Sequence, residues 1–303
     1  MAVRRTVLAV PGSSDRFIAK ARELDVDAVF FDLEDAVAPA VKAESRARIV
    51  NALDQGGFKA PVLTVRVNGW ETPWTYQDVI EVVGGAGARL DALVLPKTQD
   101  AAQVKALDYL VTQVEANAGL EPGRIGIEVQ IEDATGLTNV NEIAAASPRL
   151  VSLVFGPGDF MASLGMSSLN VGAQMADYPA DAFHHVLMTI LVAARAHGLQ
   201  AIDGPYVAIR DVEGFTRSAK AAAALGYDGK WVLHPAQIEA GNAAFTPKPE
   251  DYERAKRIMA AYSQATDITG GARGAIVVDD EMIDEAGVKV SAAILARGQR
   301  VYG

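Results

Sequence analysis

The chain of 303 residues contains no cysteine. This absence excludes disulfide bonds, a thiolate nucleophile and any cysteine-based zinc centre, and it favours a cytoplasmic protein. No apolar run approaches the ~20 residues that span a bilayer, so we predict no membrane partner. The formal net charge of −10 argues against a broad basic surface for nucleic acid. A small anionic substrate stays compatible with this charge, because local clusters of Arg and Lys decide its binding.

Several chemical motifs are also missing. No GxGxxG follows the first predicted strand and no GxxxxGK[ST] occurs, so nicotinamide-binding and P-loop sites lack support. The absence of GxSxG argues against an α/β-hydrolase, and the absence of HExxH argues against a zinc protease.

What the chain does contain is a regular alternation of strand and helix patterns. Eight short apolar or β-branched runs recur, at 6–11, 28–33, 62–67, 92–96, 125–131, 150–155, 200–203 and 230–233. Helical patterns separate most of them, for example at 15–24, 42–53, 100–118, 180–197 and 211–225. Eight such units favour a closed (β/α)₈ TIM barrel over an open doubly wound sheet. The link at 70–90 is less regular, and the long connection at 156–199 is predicted to cover an active site.

The pattern changes after Pro235. The remaining residues have no place in an eight-unit barrel. In them we predict helices ending near Phe245, over 250–264 and over 282–297, a short strand within 276–280, and a hinge-like glycine-rich loop at 270–274. We therefore predict a catalytic barrel domain over 1–235 and a C-terminal helical lid extension over 236–303.

Charged side chains follow one predicted strand after another. The carboxyl ends of the strands in a parallel barrel meet on one face, and that face is where such folds carry out chemistry. The charged residues at these ends are Glu34, Asp35, Arg66, Lys97, Glu132, Asp159, Asp203 and Lys230. Their placement predicts an enzyme.

Glu132 and Asp159 follow neighbouring predicted strands, where paired carboxylates suit Mg²⁺. The alternative is that they cap helices or pair with arginine. The sequence FGPGD favours the metal, because its glycines, Gly158 among them, expose backbone N–H groups beside the acid. Glu34 and Asp35 would support such a site, although LEDAV is also compatible with a plain helix start.

Three further groups suit an anionic substrate. Arg66 offers a planar fork of donors for a carboxylate or an enolate oxygen, with a structural salt bridge as the alternative. Lys97 is a second substrate-facing cation, and a Schiff-base lysine is the alternative that the predicted metal ligands disfavour. Arg16 and Lys20 lie one turn apart at the start of the first helix, where backbone amides would bind phosphate. An ordinary capped helix start is the alternative there.

Nine motifs together resemble one family over almost the whole chain. They are PGSSDR, FDLEDAV, RVN, LPK, QIEDATG, FGPGD, AIDGPY, GYDGKWVLHPAQI and EMID. This set resembles the citrate lyase β-subunit-like family of CoA-thioester lyases, and ADYPADAFHHVLMTILVAARAHGLQAIDGPY is most similar to malyl-CoA and β-methylmalyl-CoA lyases. The resemblance implies a TIM barrel that cleaves or forms a 3-hydroxyacyl-CoA with Mg²⁺ or Mn²⁺.

The resemblance also implies residue roles. Glu132 and Asp159 would be the metal ligands, Arg66 would bind the substrate carboxylate and oxyanion, and Arg16 and Lys20 would lie near the CoA phosphates. One departure is that QIEDATG replaces the ETA of many relatives.

For the C-terminal extension, the resemblance implies a catalytic part. Asp284 in EMID would handle the proton on the carbon next to the thioester. Relatives are commonly trimers or dimers of trimers, so we expect a homo-oligomer in which the extension completes a neighbour's active site. The alternative is an extension that closes over its own barrel.

Three functions remain open at this point. The first is cleavage of malyl-CoA or β-methylmalyl-CoA to glyoxylate and acetyl-CoA or propionyl-CoA, with citramalyl-CoA as another substrate for the same site. The second is a malyl-CoA thioesterase or a malate-synthase-like enzyme. The third is a citrate lyase β-type subunit acting on a carrier-bound thioester. In the first, the expected partners are a CoA thioester and a small 2-oxo acid.

Overall fold

The computed structural model describes residues 2–173, 175, 178, 180–269 and 274–303. The contacts divide the chain into two compact units, one of residues 2–242 and one of residues 243–303. The boundary predicted after residue 235 remains a prediction. Residues 270–273 of the predicted hinge loop lie outside the described residues. Within the described parts of the chain, no helix is both long and apolar enough to cross a membrane.

Eight parallel strands close into a barrel in the first unit. They are β1 (Thr6–Pro11), β2 (Ala28–Asp32), β3 (Val62–Arg66), β4 (Ala92–Leu95), β5 (Gly126–Ile131), β6 (Leu150–Phe155), β7 (Gln200–Asp203) and β8 (Gly229–Val232). Strand β8 closes the barrel by pairing with β1, with Lys230 opposite Thr6. The predicted (β/α)₈ TIM barrel is therefore confirmed.

Helices follow the strands around the barrel. They are α1 (Asp15–Ala21), α2 (Lys42–Gln55), α3 (Thr75–Ala86), α4 (Ala101–Asn117), α5 (Ala134–Thr138), α6 (Val140–Ala144), α7 (Pro157–Ser163), α8 (His184–Ala196), α9 (Val212–Leu225) and α10 (Ile238–Phe245). Helix α3 lies in the link that the sequence left irregular, because Gly84 and Gly85 lower helix propensity. A Cβ on Gly85 would lie 2.7 Å from Val50 of α2, so this glycine lets the two helices approach.

An apolar cluster fills the barrel interior. It consists of Val7, Ala28, Phe30, Val62, Val154, Ile202 and Trp231, with Ala9 packed against it. The rings of Phe30 and Trp231 have centroids 4.2 Å apart. Side chains alternate along a strand, so the next inward position on β2 after Phe30 is Asp32, which is paired in register with Arg66 of β3. The core therefore ends in a buried charge pair at the carboxyl ends of the strands.

The C-terminal unit contains helices and a small hairpin. Its elements are α11 (Pro249–Thr269), the antiparallel strands β9 (Ala275–Val278) and β10 (Glu281–Asp284), and α12 (Glu285–Tyr302). Asp279 and Asp280 have φ of 49° and 63°, as a two-residue hairpin turn requires. The prediction that the last helix begins near Met282 is wrong, because Met282 pairs with Val277 in the hairpin.

Candidate active site at the carboxyl ends of the strands

The guanidinium group of Arg66 lies between the carboxylate of Asp32 and the ring of Trp231. Its Nε and Nη2 donate to the two carboxylate oxygens of Asp32, both at 2.7 Å. Asp32 in turn accepts backbone N–H groups of Glu34 at 2.9 Å and Ala36 at 3.0 Å, which fixes the carboxylate. The guanidinium carbon lies 5.5 Å from the ring centroid of Trp231. Two of its three nitrogens are therefore fixed, and Nη1 is the nitrogen left for other partners.

Nη1 of Arg66 faces further acids. It lies 2.8 Å from Glu34 Oε2 and 3.8 Å from Asp35 Oδ2, and it donates to Gln130 Oε1 at 3.4 Å. Burial lowers the pKa of Arg66, but Asp32 and Glu34 raise it more, so the net pKa lies above the ordinary value. Arg66 is therefore a permanent cation at the wall of a cavity of about 460 Å³.

Lys97 pairs with the acids that follow β2. Its Nζ forms an ion pair with Glu34 and lies 3.5 Å from Asp35 Oδ1. Burial lowers the pKa of Lys97, but Glu34 and Asp35 raise it above the ordinary value. The amine therefore stays protonated, which disfavours the Schiff-base alternative because that chemistry needs a neutral amine. Burial raises the pKa of Glu34 even though Arg66 and Lys97 lower it.

Glu132 is buried at the end of β5. Its Oε1 accepts the backbone N–H of Lys97 at 2.5 Å, and its Oε2 accepts from Gln130 Nε2 at 3.0 Å. A Cβ on Gly156 would lie 2.4 Å from Oε2, so only glycine leaves room for this carboxylate. Burial raises the pKa of Glu132 to about 8; Arg66 opposes the rise and Glu34 adds to it.

A divalent cation fits this acid set. Glu132 and Asp159 line the 460 Å³ cavity and a second one of about 260 Å³. Each Glu132 oxygen uses one lone pair in the bonds above and keeps another, and Mg²⁺ accepts two carboxylates with water or substrate oxygens as its other ligands. Over the described residues, no group of three or more His, Cys, Asp or Glu has the arrangement of a metal site. A bound ion would therefore depend on water and substrate for most of its ligands.

These acids and bases form one group at the barrel mouth. We call it the mouth cluster, and its members are Asp32, Glu34, Asp35, Arg66, Lys97, Glu132 and Asp159. Gly158 lies beside it, exposed as the second residue of α7 in the wall of the larger cavity.

The other predicted residues lie elsewhere. Arg16 and Lys20 are exposed on α1, where Arg16 stacks on Phe17 at 4.9 Å and Lys20 lies 3.7 Å from Glu23. Asp284 belongs to the C-terminal unit, where it is exposed and accepts the N–H groups that begin α12. The roles of these three residues in CoA binding and proton transfer stay predictions.

Sequence reasoning missed Asp32 and Gln130. Asp32 lies two residues before Glu34, and Gln130 lies two residues before Glu132. The signal that could have found them is the two-residue period of the strands, which places Asp32 on the face of Phe30 and Gln130 on the face of Glu132.

Comparisons with known proteins agree with this geometry. The family model described as HpcH/HpaI aldolase/citrate lyase matches residues 5–235. An L-malyl-CoA/beta-methylmalyl-CoA lyase of Cereibacter sphaeroides is 37% identical over 306 residues, covering 98% of this chain and 95% of the relative. A (3S)-malyl-CoA thioesterase of the same species is 36% identical over 299 residues, with the same coverage. The structure of protein CitE from Mycobacterium tuberculosis, in complex with magnesium, acetoacetate and coenzyme A, shares 30% identity at a TM-score of 0.74 and covers 98% of both chains.

Proposed function

Because the chain belongs to the HpcH/HpaI aldolase/citrate lyase family, we propose that it is a carbon–carbon lyase that acts reversibly on a 3-hydroxyacyl-CoA. The substrate we favour is (S)-malyl-CoA or β-methylmalyl-CoA, cleaved to glyoxylate and acetyl-CoA or propionyl-CoA. The observation that carries the proposal is Arg66, a buried permanent cation in the wall of a cavity, with two nitrogens fixed by Asp32 and its third beside Glu34 and Gln130. Such a group suits the developing oxyanion of a thioester enolate.

The chemistry follows from where charge develops. In cleavage, the 3-hydroxyl group gives its proton to a base and becomes the carbonyl of the 2-oxo acid. The electrons of the broken C–C bond then lie on a thioester enolate, whose oxygen would accept a hydrogen bond from Arg66 Nη1. The donor is already oriented and buried, so little reorganisation accompanies the reaction. In the synthetic direction, Asp284 is the carboxylate that we propose to remove the acetyl-CoA proton.

Glu132 and Asp159 are the residues that we propose to hold Mg²⁺ or Mn²⁺. When bound, the ion supplies positive charge that polarises the carbonyl of the 2-oxo acid. The magnesium in the related CitE structure supports this proposal. A cytoplasmic location and a homotrimer or dimer of trimers remain predictions.

A panel assay tests the proposal. The purified protein with Mg²⁺ is mixed with malyl-, methylmalyl-, citramalyl- and citryl-CoA, and glyoxylate, pyruvate, oxaloacetate and free CoA are measured. We expect glyoxylate from the first two substrates, formed together with acetyl-CoA or propionyl-CoA. Absence of cleavage for all four substrates would contradict the proposal.

A thioesterase is the second candidate. The thioesterase relative is nearly as similar as the lyase relative, at 36% against 37% identity. The same panel separates the two functions, because hydrolysis releases free CoA and malate without glyoxylate.

A further inference from the structure

Lys97 has an unusual backbone. Its φ of 49° lies in the left-handed region, which residues with a Cβ seldom adopt. Among the described residues that are not glycine, it shares a positive φ only with Asp279 and Asp280 of the hairpin turn. Aspartate tolerates this region better than lysine does, and lysine is held there only when the surroundings favour it.

The turn around Lys97 is fixed on both sides. Thr98 donates its backbone N–H to Gln130 O at 3.3 Å and its hydroxyl to Leu95 O at 3.2 Å. The left-handed conformation directs the N–H of Lys97 at Glu132 Oε1, 2.5 Å away. Because a backbone N–H cannot rotate as a side chain can, this bond fixes the carboxylate orientation.

The side chain of Lys97 contacts the other acids. Its ammonium pairs with Glu34, whose second oxygen lies 2.8 Å from Arg66 Nη1. One residue therefore touches an acid after β2 with its side chain and an acid after β5 with its backbone. Without the ammonium, Glu34 would bring an uncompensated negative charge next to Arg66, where an enolate has to form.

We propose that Lys97 is a positioning residue for the reaction proposed above: its left-handed backbone orients Glu132, and its ammonium offsets the charge of Glu34 beside Arg66. The two contributions belong to different atoms of one residue. Substitutions can therefore separate them.

Three variants make the separation. Lys97→Met removes only the charge and keeps a similar stem. Lys97→Gly removes the whole side chain but adopts a positive φ freely. Lys97→Val removes the charge and resists a positive φ, because it is β-branched, so it should displace the N–H. Each is compared with the unchanged protein for Mg²⁺ affinity by isothermal titration calorimetry, for kcat and KM with malyl-CoA, and for melting temperature.

We expect Lys97→Met and Lys97→Gly to lose kcat by ~10-fold or more, because the charge-assisted interaction with Glu34 is lost. Mg²⁺ affinity should be unchanged or tighter, because the lost ammonium is a positive charge near Asp159 that opposes a bound cation. Ethylammonium added to Lys97→Gly should restore part of kcat, which a purely structural role would not allow. Lys97→Val should bind Mg²⁺ at least ~10-fold more weakly than Lys97→Gly. If Lys97→Val does not fold, Lys97→Ala replaces it. Lys97→Ala should then bind Mg²⁺ more weakly than Lys97→Gly and should melt at a lower temperature than Lys97→Gly.

Two results would overturn the inference. The first is full kcat in Lys97→Met. The second is equal Mg²⁺ affinity in Lys97→Gly and its folded Val or Ala counterpart. If the unchanged protein cleaves none of the CoA esters, the proposed function fails, whereas the Mg²⁺ affinities still decide whether the backbone of Lys97 orients Glu132.

Discussion

The two ends of the barrel differ in how their buried acids are paired with cations. Near the amino ends of the strands, Arg5 bonds Asp27 through Nε at 2.8 Å and Nη2 at 2.9 Å. Arg149 bonds Glu115 there through Nη1 at 3.0 Å and Nη2 at 2.7 Å. We call these four residues the base cluster. The base cluster has two arginines for its two acids, and Arg149 also pairs with Asp108 at 2.6 Å. The mouth cluster has two cations, Arg66 and Lys97, among five acids, three of which form ion pairs with them.

The glutamates of the two clusters also differ in the direction of their pKa shifts. Burial raises the pKa of Glu115. Arg149 and the N–H groups of Ile125 and Gly123 lower this pKa by more than burial raises it, so the net pKa lies below the ordinary value. The pKa of Glu34 and that of Glu132 lie above the ordinary value. The base cluster therefore stabilises the fold, and the mouth cluster keeps an excess of negative charge that a cation would relieve.

The largest effect should come from the proposed metal ligands. Glu132→Gln and Asp159→Asn should each lower kcat by ~10³-fold or more, because a metal ion contributes several kcal/mol of charge stabilisation. A chelator should abolish activity and Mg²⁺ or Mn²⁺ should restore it, while circular dichroism shows an intact fold. Full activity in the chelated protein would contradict the assignment.

Asp284 extends the comparison to the second unit. Asp284→Asn should lower kcat by ~10²- to 10⁴-fold, the usual contribution of a general base. If the extension serves a neighbouring subunit, co-expressing Asp284→Asn with Glu132→Gln should restore activity, because some sites then hold both intact residues. Lack of activity in demonstrably mixed oligomers would show that each extension serves its own barrel.

A substitution of Asp32 tests whether this carboxylate orients Arg66 for catalysis. Asp32→Asn removes a charged partner but keeps similar size, so Arg66 should lose its fixed orientation. We expect kcat to fall by ~10- to 100-fold, with a smaller change in KM, since the oxyanion exists only after the substrate is bound. A change confined to melting temperature would make Asp32 a structural residue only.

The smallest effect on catalysis should come from Glu115→Gln in the base cluster. The pKa of Glu115 is lower in the folded protein, so its ionised form stabilises the fold above the ordinary carboxyl pKa of about 4.3, and this contribution is lost as the pH falls. Glu115→Gln should lower the melting temperature at pH 7 and flatten its decline toward pH 3. Turnover at pH 7 should stay within about twofold of the unchanged protein.

Much of this arrangement could be predicted from the sequence. Alternating apolar strands and helices predict the barrel, and the charges at the strand ends point to Arg66, Lys97 and Glu132. The family resemblance carried by the nine motifs is confirmed by the family match over 5–235. These predictions are possible because strand periodicity and barrel topology bring residues that are distant in the sequence to one face of the barrel.

The remainder depends on packing that local patterns do not encode. Helix α3 was missed because its glycines lower helix propensity, yet Gly85 is needed for contact with α2. The left-handed backbone of Lys97 was missed because lysine has no preference for it. Asp32 was missed because an acid inside an apolar strand gives a weaker signal than an acid at its end.

The contrast between mouth and base is tested most directly by two matched substitutions, Arg66→Lys and Arg149→Lys. Each keeps a buried positive charge and removes a planar fork that holds a carboxylate. Arg149 also bonds Asp108, Thr112 and the carbonyl of Ile125, so the structural damage at Arg149 should be at least as large as that at Arg66. Melting temperature and kcat are measured for both. We predict that both melt lower by roughly 5 °C, but that only Arg66→Lys loses kcat, by ~10²-fold or more. Equal losses of kcat in the two variants, or normal kcat in Arg66→Lys, would contradict the account.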